Sequence, residues 1–215
     1  MHRYLIKIPW IIRKIYSAYI WKIPAVEKVV YLTFDDGPHP VITPWVLKEL
    51  DKFDAKATFF CIGKNVSAYP EVYQQILDEG HAVGNHTEHH VNGWKVPEAY
   101  YFEDVQKAAQ LIKSQLFRPP YGRIKKRVAQ RIRKQLHMHI IMWDVLSADF
   151  DASFSPEQCV SNVLNHAESG SVIVFHDSEK AEQNLRYALP LVLEALKNRG
   201  FRFDKIDFKS EVAKG

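Results

Sequence analysis

From position 29 onward the chain alternates short apolar runs with longer stretches in which apolar residues recur every three or four positions. The runs cover residues 29–34, 57–62, 81–84, 139–145 and 171–175, with weaker ones at 115–117 and 201–206. Their β-branched and aromatic residues suit strands buried on both faces, as in a parallel sheet. The intervening stretches, 41–53, 70–79, 98–113, 125–135, 156–168 and 184–199, carry the spacing of amphipathic helices. Pro70 and Pro156 stand where a first helical turn accepts proline, and Gly80 and Gly200 where a C-terminal cap belongs. Strand–helix alternation over about seven units predicts an α/β architecture, most economically closed as a barrel of parallel strands.

Residues 1–27 precede this alternation as an amphipathic segment, leaving 28–215 as the expected catalytic domain. Ile8, Ile11, Ile12, Ile15 and Tyr19 recur at helical spacing, with Arg13, Lys14 and Ser17 on the other side. A helix packed on the domain is the favoured reading of residues 8–21; a basic helix lying on a membrane surface is the alternative. Arg13 and Lys14 interrupt the run, so it offers no span long enough to cross a bilayer, and no secretory cleavage site is evident. A cytoplasmic location is the default expectation.

The 215 residues are enough for one sizeable core, and no linker or repeat divides them. A net charge of +4 is too small to indicate a nucleic-acid partner. The basic stretch from Arg123 to Lys134 is threaded by Ile124, Val128, Ile132 and Leu136, so it reads as a helix with a solvated charged face. Cys61 and Cys159 form no Cys-x-x-Cys pair and are expected as free thiols.

Residues capable of chemistry stand just after the predicted strands. Asp35 and Asp36 follow the first, His86 and His90 the third, Arg118 the fourth, Asp149 the fifth and His176 the sixth. In parallel barrels the loops after the strands converge on one face, so these residues would meet in a single pocket. Asp35-Asp36-Gly37-Pro38 is either a turn or a pair of carboxylates that repel each other and call for a nearby cation. His86 and His90, at i and i+4, would share one face of a helical turn, a geometry suited to a metal ion. With Asp36 they make a set of two imidazoles and one carboxylate that zinc, cobalt, nickel or iron would accept. His89 is the expected bystander. His176, ending a buried run, would serve as a general acid beside an activated water.

Four segments in order, Thr33-Phe34-Asp35-Asp36-Gly37-Pro38, His86-Thr87-Glu88-His89-His90, Arg118-Pro119-Pro120-Tyr121-Gly122 and Val174-Phe175-His176, carry a clear likeness. Together they resemble the polysaccharide deacetylase family, also called carbohydrate esterase family 4 or the NodB homology domain, over residues 28–206. The resemblance implies a distorted (β/α) barrel of about seven parallel strands, TIM-barrel-like, with a divalent metal, zinc first and cobalt or nickel as alternatives. It implies removal of N-acetyl groups from an acetylated carbohydrate, with Asp35 as general base and Asp36, His86 and His90 as metal ligands. It further implies His176 as general acid, Arg118 holding the Asp35 carboxylate, the Tyr121 backbone amide at the oxyanion and Asp149 orienting His176. Leu146, Phe150 and Val174 depart from the usual pattern, at positions expected in the groove wall, and bear on substrate choice. Trp143 and Phe150 could stack on sugar faces or serve as core aromatics. Rival readings are hydrolysis of O-acetyl esters or another amide, a carbohydrate-binding relative without turnover, and a two-histidine, one-carboxylate iron oxygenase. The presence of both Asp35 and His176 favours hydrolysis.

Overall fold

The computed structural model describes residues 5–208. Seven parallel strands follow one another across a curled sheet in the order β5-β4-β3-β2-β1-β7-β6: β1 Val29–Asp35, β2 Thr58–Cys61, β3 Ala82–Asn85, β4 Leu116–Phe117, β5 His139–Ile140, β6 Val145–Leu146 and β7 Val172–His176. An eighth, β8 Arg202–Phe203, pairs with the start of β1. The distorted barrel is therefore a half-barrel, its edges being β5 and β6.

The helices are α1 Trp10–Ile15, α2 Ile42–Asp51, α3 Gly63–Ala68, α4 Pro70–Asp78, α5 Glu98–Leu111, α6 Lys126–Gln135, α7 Pro156–Leu164 and α8 Glu182–Asn198. Pro70 and Pro156 do open helices, and Ser155 and Gln158 cap α7 reciprocally. The strands are buried as their composition requires: every residue of β1 except Tyr31 is buried, as are all of β2. Phe34 stacks between Phe59 of β2 and Phe175 of β7, with ring centroids 5.1 and 6.1 Å apart. These three rings centre the larger core beneath α2, α7 and α8; a second core lies under α5 and α6.

Two sequence expectations change. The apolar run 139–145 is not one strand but two, β5 and β6, on opposite edges of the sheet. The chain breaks there because the Ile141 and Met142 carbonyls turn inward to accept from the buried Arg118 guanidinium. A hydrophobic run records burial and says nothing about which neighbour each residue will pair with.

The N-terminal segment also differs. Helix spans only Trp10–Ile15 and buries none of its residues. The flanking extended residues hold the segment instead, on either side of the open edge. Ile8 N donates to Asp144 O and Leu146 N to Ile6 O on the β6 side; Ile20 exchanges bonds with Ile140 and Met142 on the β5 side. Lys7 Nζ adds an ion pair to the buried Asp144 at 2.7 Å. Free sheet edges expose unpaired amides and carbonyls, and this strap occupies those of β5 and β6. No helix among the described residues is long and apolar enough to cross a membrane.

Gly170 fixes the strap to the sheet. It sits at φ +82°, its carbonyl accepts from Ile23 N at 2.9 Å, and an added Cβ would collide with the Ile23 carbonyl oxygen. Gly170→Ala is therefore expected to cost on the order of 2 kcal/mol, combining left-handed strain with that clash. The urea midpoint should fall, and residues 9–24 should become more susceptible to limited proteolysis. An unchanged cleavage pattern would mean the strap does not depend on this contact.

Candidate metal centre and catalytic residues

The site forms where parallel strands end on one face. Register makes Asp35 and His176 lateral neighbours at the ends of β1 and β7. His86 follows β3, Arg118 follows β4, and Asp149 lies three residues beyond β6. The predicted convergence is thus what the sheet produces, and its geometry comes from the loops.

Asp36 adopts φ +80°, which swings its carboxylate out of the strand line. Asn65 Nδ2 donates to its carbonyl at 2.8 Å. Asp36 Oδ1 lies 3.1 Å from His90 Nε2 and 3.7 Å from His86 Nε2. One ligand atom from each of the three residues falls within 4.8 Å of the others, the one such cluster found among the described residues. His86 and His90 do not meet on a helix, as their spacing predicts. They lie on a non-helical bend after β3 with Thr87 at φ +66° and His90 at φ +53°. The loop, rather than helical periodicity, brings the rings to a centroid separation of 5.1 Å. Strained residues concentrated at a site persist only where surrounding contacts hold them.

Those contacts are identifiable. Asp104 of α5 accepts from the backbone amides of Glu88 and His89, both at 3.0 Å, and pairs with His89 Nδ1 at 2.5 Å. His89 is accordingly turned toward α5, away from Asp36. Asp104 went unrecognised in the sequence, though a signal exists: an acid on the apolar stripe of Tyr101, Val105 and Ala108 needs a buried partner.

The electrostatics suit a cation. His86 Nδ1 donates to the Arg118 carbonyl at 2.8 Å, so its Nε2 carries the lone pair that faces Asp36. Burial, against the pull of Asp35, brings the His86 imidazole down to about 4, which keeps it neutral at physiological pH. Burial alone would raise Asp36. The close approach of His90 and the positive charge of His176 outweigh it and hold the carboxyl well below its usual range. Asp36 Oδ1 is nonetheless buried without a properly directed hydrogen bond. Convergent lone pairs around an unsatisfied buried oxygen are costly unless a metal ion satisfies them, so the residues fit the metal.

The neighbouring acid–base groups form two buried ion pairs. Arg118 is fully buried; its Nη1 donates to Asp35 Oδ1 and Thr33 Oγ1, both at 2.7 Å. His176 Nδ1 bonds Asp149 Oδ1 at 2.8 Å, and Asp149 Oδ2 accepts the His176 backbone amide at 2.9 Å. Ser147 Oγ completes the Asp149 environment at 2.8 Å. Burial works against a charged His176, but Asp149, aided by Asp36 and Asp35, lifts its pKa to about 9. Tyr121, at φ +60° in a tight turn whose Gly122 and Arg123 amides donate to Pro119 and Pro120, lays its ring on His90 at 4.7 Å.

The motif departures separate on inspection. Leu146 and Val174 are register partners across β6 and β7, and both are buried. Phe150 does reach the site, packing its ring against His176 at 4.8 Å. Trp143 packs beside Gly122 and the Arg118 guanidinium. Asp177, fully buried next to His176, was also missed. It accepts from Gly37 N at 3.1 Å and Thr43 Oγ1 at 2.5 Å, and an added Cβ on Gly37 would strike it. Burial pushes its pKa up to about 8.

The polysaccharide deacetylase family model matches residues 22–140. This chain belongs to that family. The match covers the site from Asp35 through Arg118, and membership makes the protein a hydrolase of the carbohydrate esterase family 4 type. The chain is 34% identical over 189 residues to a peptidoglycan-N-acetylglucosamine deacetylase of Bacillus cereus, covering 85% of this chain and 88% of that protein. It is 34% identical over 195 residues to a chitooligosaccharide deacetylase of Azorhizobium caulinodans, covering 81% and 91% respectively. The crystal structure of the Bc1960 peptidoglycan N-acetylglucosamine deacetylase superposes with a TM-score of 0.83 at 32% identity, covering 93% of this chain and 95% of that one.

The geometry separates ligands from bystander. Asp36→Ala and His86→Ala should each lower bound metal from about one equivalent to a small fraction of it, whereas His89→Ala should retain the metal. Elemental analysis of protein prepared with zinc reads the outcome. Retention by both ligand variants would dismiss this centre.

Proposed function

We propose that this protein removes N-acetyl groups from N-acetylglucosamine residues of peptidoglycan or chitooligosaccharides, with metal held by Asp36, His86 and His90. The supporting observation is the pairing of Asp35 and His176 across β1 and β7 beside that cluster, each carrying its own buried counter-ion. The two relatives whose names specify these substrates cover most of their length with this chain.

A divalent ion, zinc or cobalt by the donor set, would supply Lewis acidity toward the acetyl carbonyl and make a nearby water easier to deprotonate. Asp35 takes the proton from that water as its oxygen attacks the carbonyl carbon. Arg118 fixes the Asp35 carboxylate through a charge-assisted hydrogen bond. The Tyr121 amide donates to the oxygen that becomes negative in the tetrahedral intermediate. His176, protonated because Asp149 stabilises its charge, gives a proton to the departing nitrogen as the carbon–nitrogen bond breaks. The products are acetate and a free amine on the sugar.

Acetate release from chitooligosaccharides and from peptidoglycan tests the reading. A chelator should abolish release, and zinc or cobalt should restore it. Full turnover by metal-free protein, verified by elemental analysis, would refute the metal dependence.

Asp35→Asn and His176→Ala should each lower kcat by about two to four orders of magnitude while metal content stays unchanged. Loss of metal from either variant would mean the roles of Asp35 and Asp36 are wrongly divided.

Asp149→Asn isolates the charge on the acid. His176 has a raised pKa in the fold, so its acid form persists to higher pH than that of a free imidazole. Removing the Asp149 charge lowers that pKa, and the alkaline limb of the pH–rate profile should move to lower pH. An unmoved limb in folded, metal-loaded Asp149→Asn protein would reduce Asp149 to a structural cap.

A further inference from the structure

Helix α1 is an anomaly in an otherwise well-packed molecule. Of its six residues Trp10 is 64% exposed, Ile11 46% and Ile15 67%, and Tyr16 at its end is 49% exposed. Four large apolar or aromatic side chains stand exposed on this short helix and its C-cap, a concentration that soluble surfaces seldom tolerate without a partner. The helix is too short to persist in water by itself. It is held open to solvent by the extended residues on either side, which bond to β5 and β6.

The charged residues of the segment itself are basic, with Glu168 pairing Lys22 and Lys7 at its edge. Residues 8–22 contain Arg13, Lys14 and Lys22 and no acidic residue. Lys14 Nζ lies 5.9 Å over the Trp10 ring. Ile8, Ile12, Tyr19 and Trp21 share a core cluster with Val128 and Ile132 of α6, which brings the two helices to one side of the molecule. Arg133 of α6 stands close enough to Tyr19 for its charge to act on the phenol. Helix α6 adds Lys126, Arg127, Arg131 and Lys134, again without an acid. A cavity of about 630 Å³ opens beside the helix, lined by Trp10, Arg13, Tyr19, Trp21, Lys22 and Phe208.

We propose that α1 and the basic face of α6 dock this protein on an anionic lipid bilayer. Trp10, Ile11, Ile15 and Tyr16 enter the headgroup region, and the Arg and Lys side chains pair with lipid phosphates. Isoleucine supplies apolar area, while Trp and Tyr suit the boundary between apolar and wet layers. The excess of basic side chains, Arg13 and Lys14 on α1 and five on α6, selects an anionic surface, and a helix already ordered in the free protein loses little freedom on docking. The strap that carries α1 bonds to Asp144 and Ser171 at the beginnings of β6 and β7.

Co-sedimentation of the full chain with lipid vesicles tests this directly, and it is independent of deacetylase turnover. Vesicles containing about one third phosphatidylglycerol in phosphatidylcholine should pellet the protein, and pure phosphatidylcholine vesicles should not. Trp10→Ser/Ile15→Ser should weaken partitioning about tenfold or more. Arg13→Gln/Lys14→Gln should weaken it by a similar factor and flatten its salt dependence, at roughly fivefold per removed charge. Both variants should retain native circular dichroism, since Trp10, Lys14 and Ile15 are exposed and Arg13 is only half-buried. Equal binding to neutral vesicles, undiminished binding by Trp10→Ser/Ile15→Ser, or no binding by the folded parent would overturn the proposal. A dimer that Trp10→Ser/Ile15→Ser dissolves, without vesicle binding, would assign the patch to a second copy of the chain instead.

Discussion

A single guanidinium with no exposure to solvent ties the site to the fold. Arg118 leaves β4 and spends its donors on Asp35 and Thr33 of β1 and on the Ile141 and Met142 carbonyls between β5 and β6. Its plane lies over the Phe60 ring at 4.0 Å. Its own carbonyl accepts from His86. One residue therefore orients the Asp35 carboxylate, sets the tautomer of His86 and diverts the chain from one edge of the sheet to the other. Lysine could not do the same, since only the planar fork reaches several acceptors at fixed angles. Breaking one member of such a buried pair typically costs about 3–5 kcal/mol because the remaining charge is left without solvation.

Around this anchor the site separates its charges by environment. Asp35, Asp36, Asp149 and Asp177 crowd into one end of the sheet and would repel one another if left bare. Asp35 is matched by Arg118 and Asp149 by His176, while Asp36 faces the two other imidazoles. Among the described residues the Asp177 carboxylate has dipoles for partners, Gly37 N and Thr43 Oγ1, and burial raises its pKa accordingly. The same carboxyl chemistry thus occupies four settings. Asp35 is paired with arginine, Asp36 is an anion among groups that suit a metal, Asp149 is the counter-ion of an imidazole, and Asp177 is held by dipoles.

The N-terminal strap shows how a half-barrel manages its edges. Its extended residues occupy the hydrogen-bonding groups that β5 and β6 leave free, and Lys7 neutralises the buried Asp144. Edge pairing keeps α1 in place without burying it. The helix then presents apolar side chains outward on a scaffold rigid enough to hold them there. Helical periodicity at Ile8, Ile11, Ile12, Ile15 and Tyr19 reads equally well as a packed stripe or a surface one, because periodicity describes one element and not what lies beside it.

By itself the sequence determined the alternation of strands and helices, the strand-end positions of Asp35, Asp36, His86, Arg118, Asp149 and His176, and the family that these residues mark. Those are local or one-dimensional facts: burial on both faces writes a continuous apolar run, and parallel strands send all their following loops to one face. Tertiary structure alone decided that the run 139–145 is two strands on opposite edges. It decided that His86 and His90 meet through left-handed loop residues rather than a helical turn. It also recruited Asp104 and Asp177, whose partners lie 15 to 16 and 134 to 140 residues away. Each of these depends on a contact between distant segments, chiefly hydrogen bonds from a buried polar group. Such a bond leaves no periodic trace in the chain, because only one of its two partners needs an unusual residue.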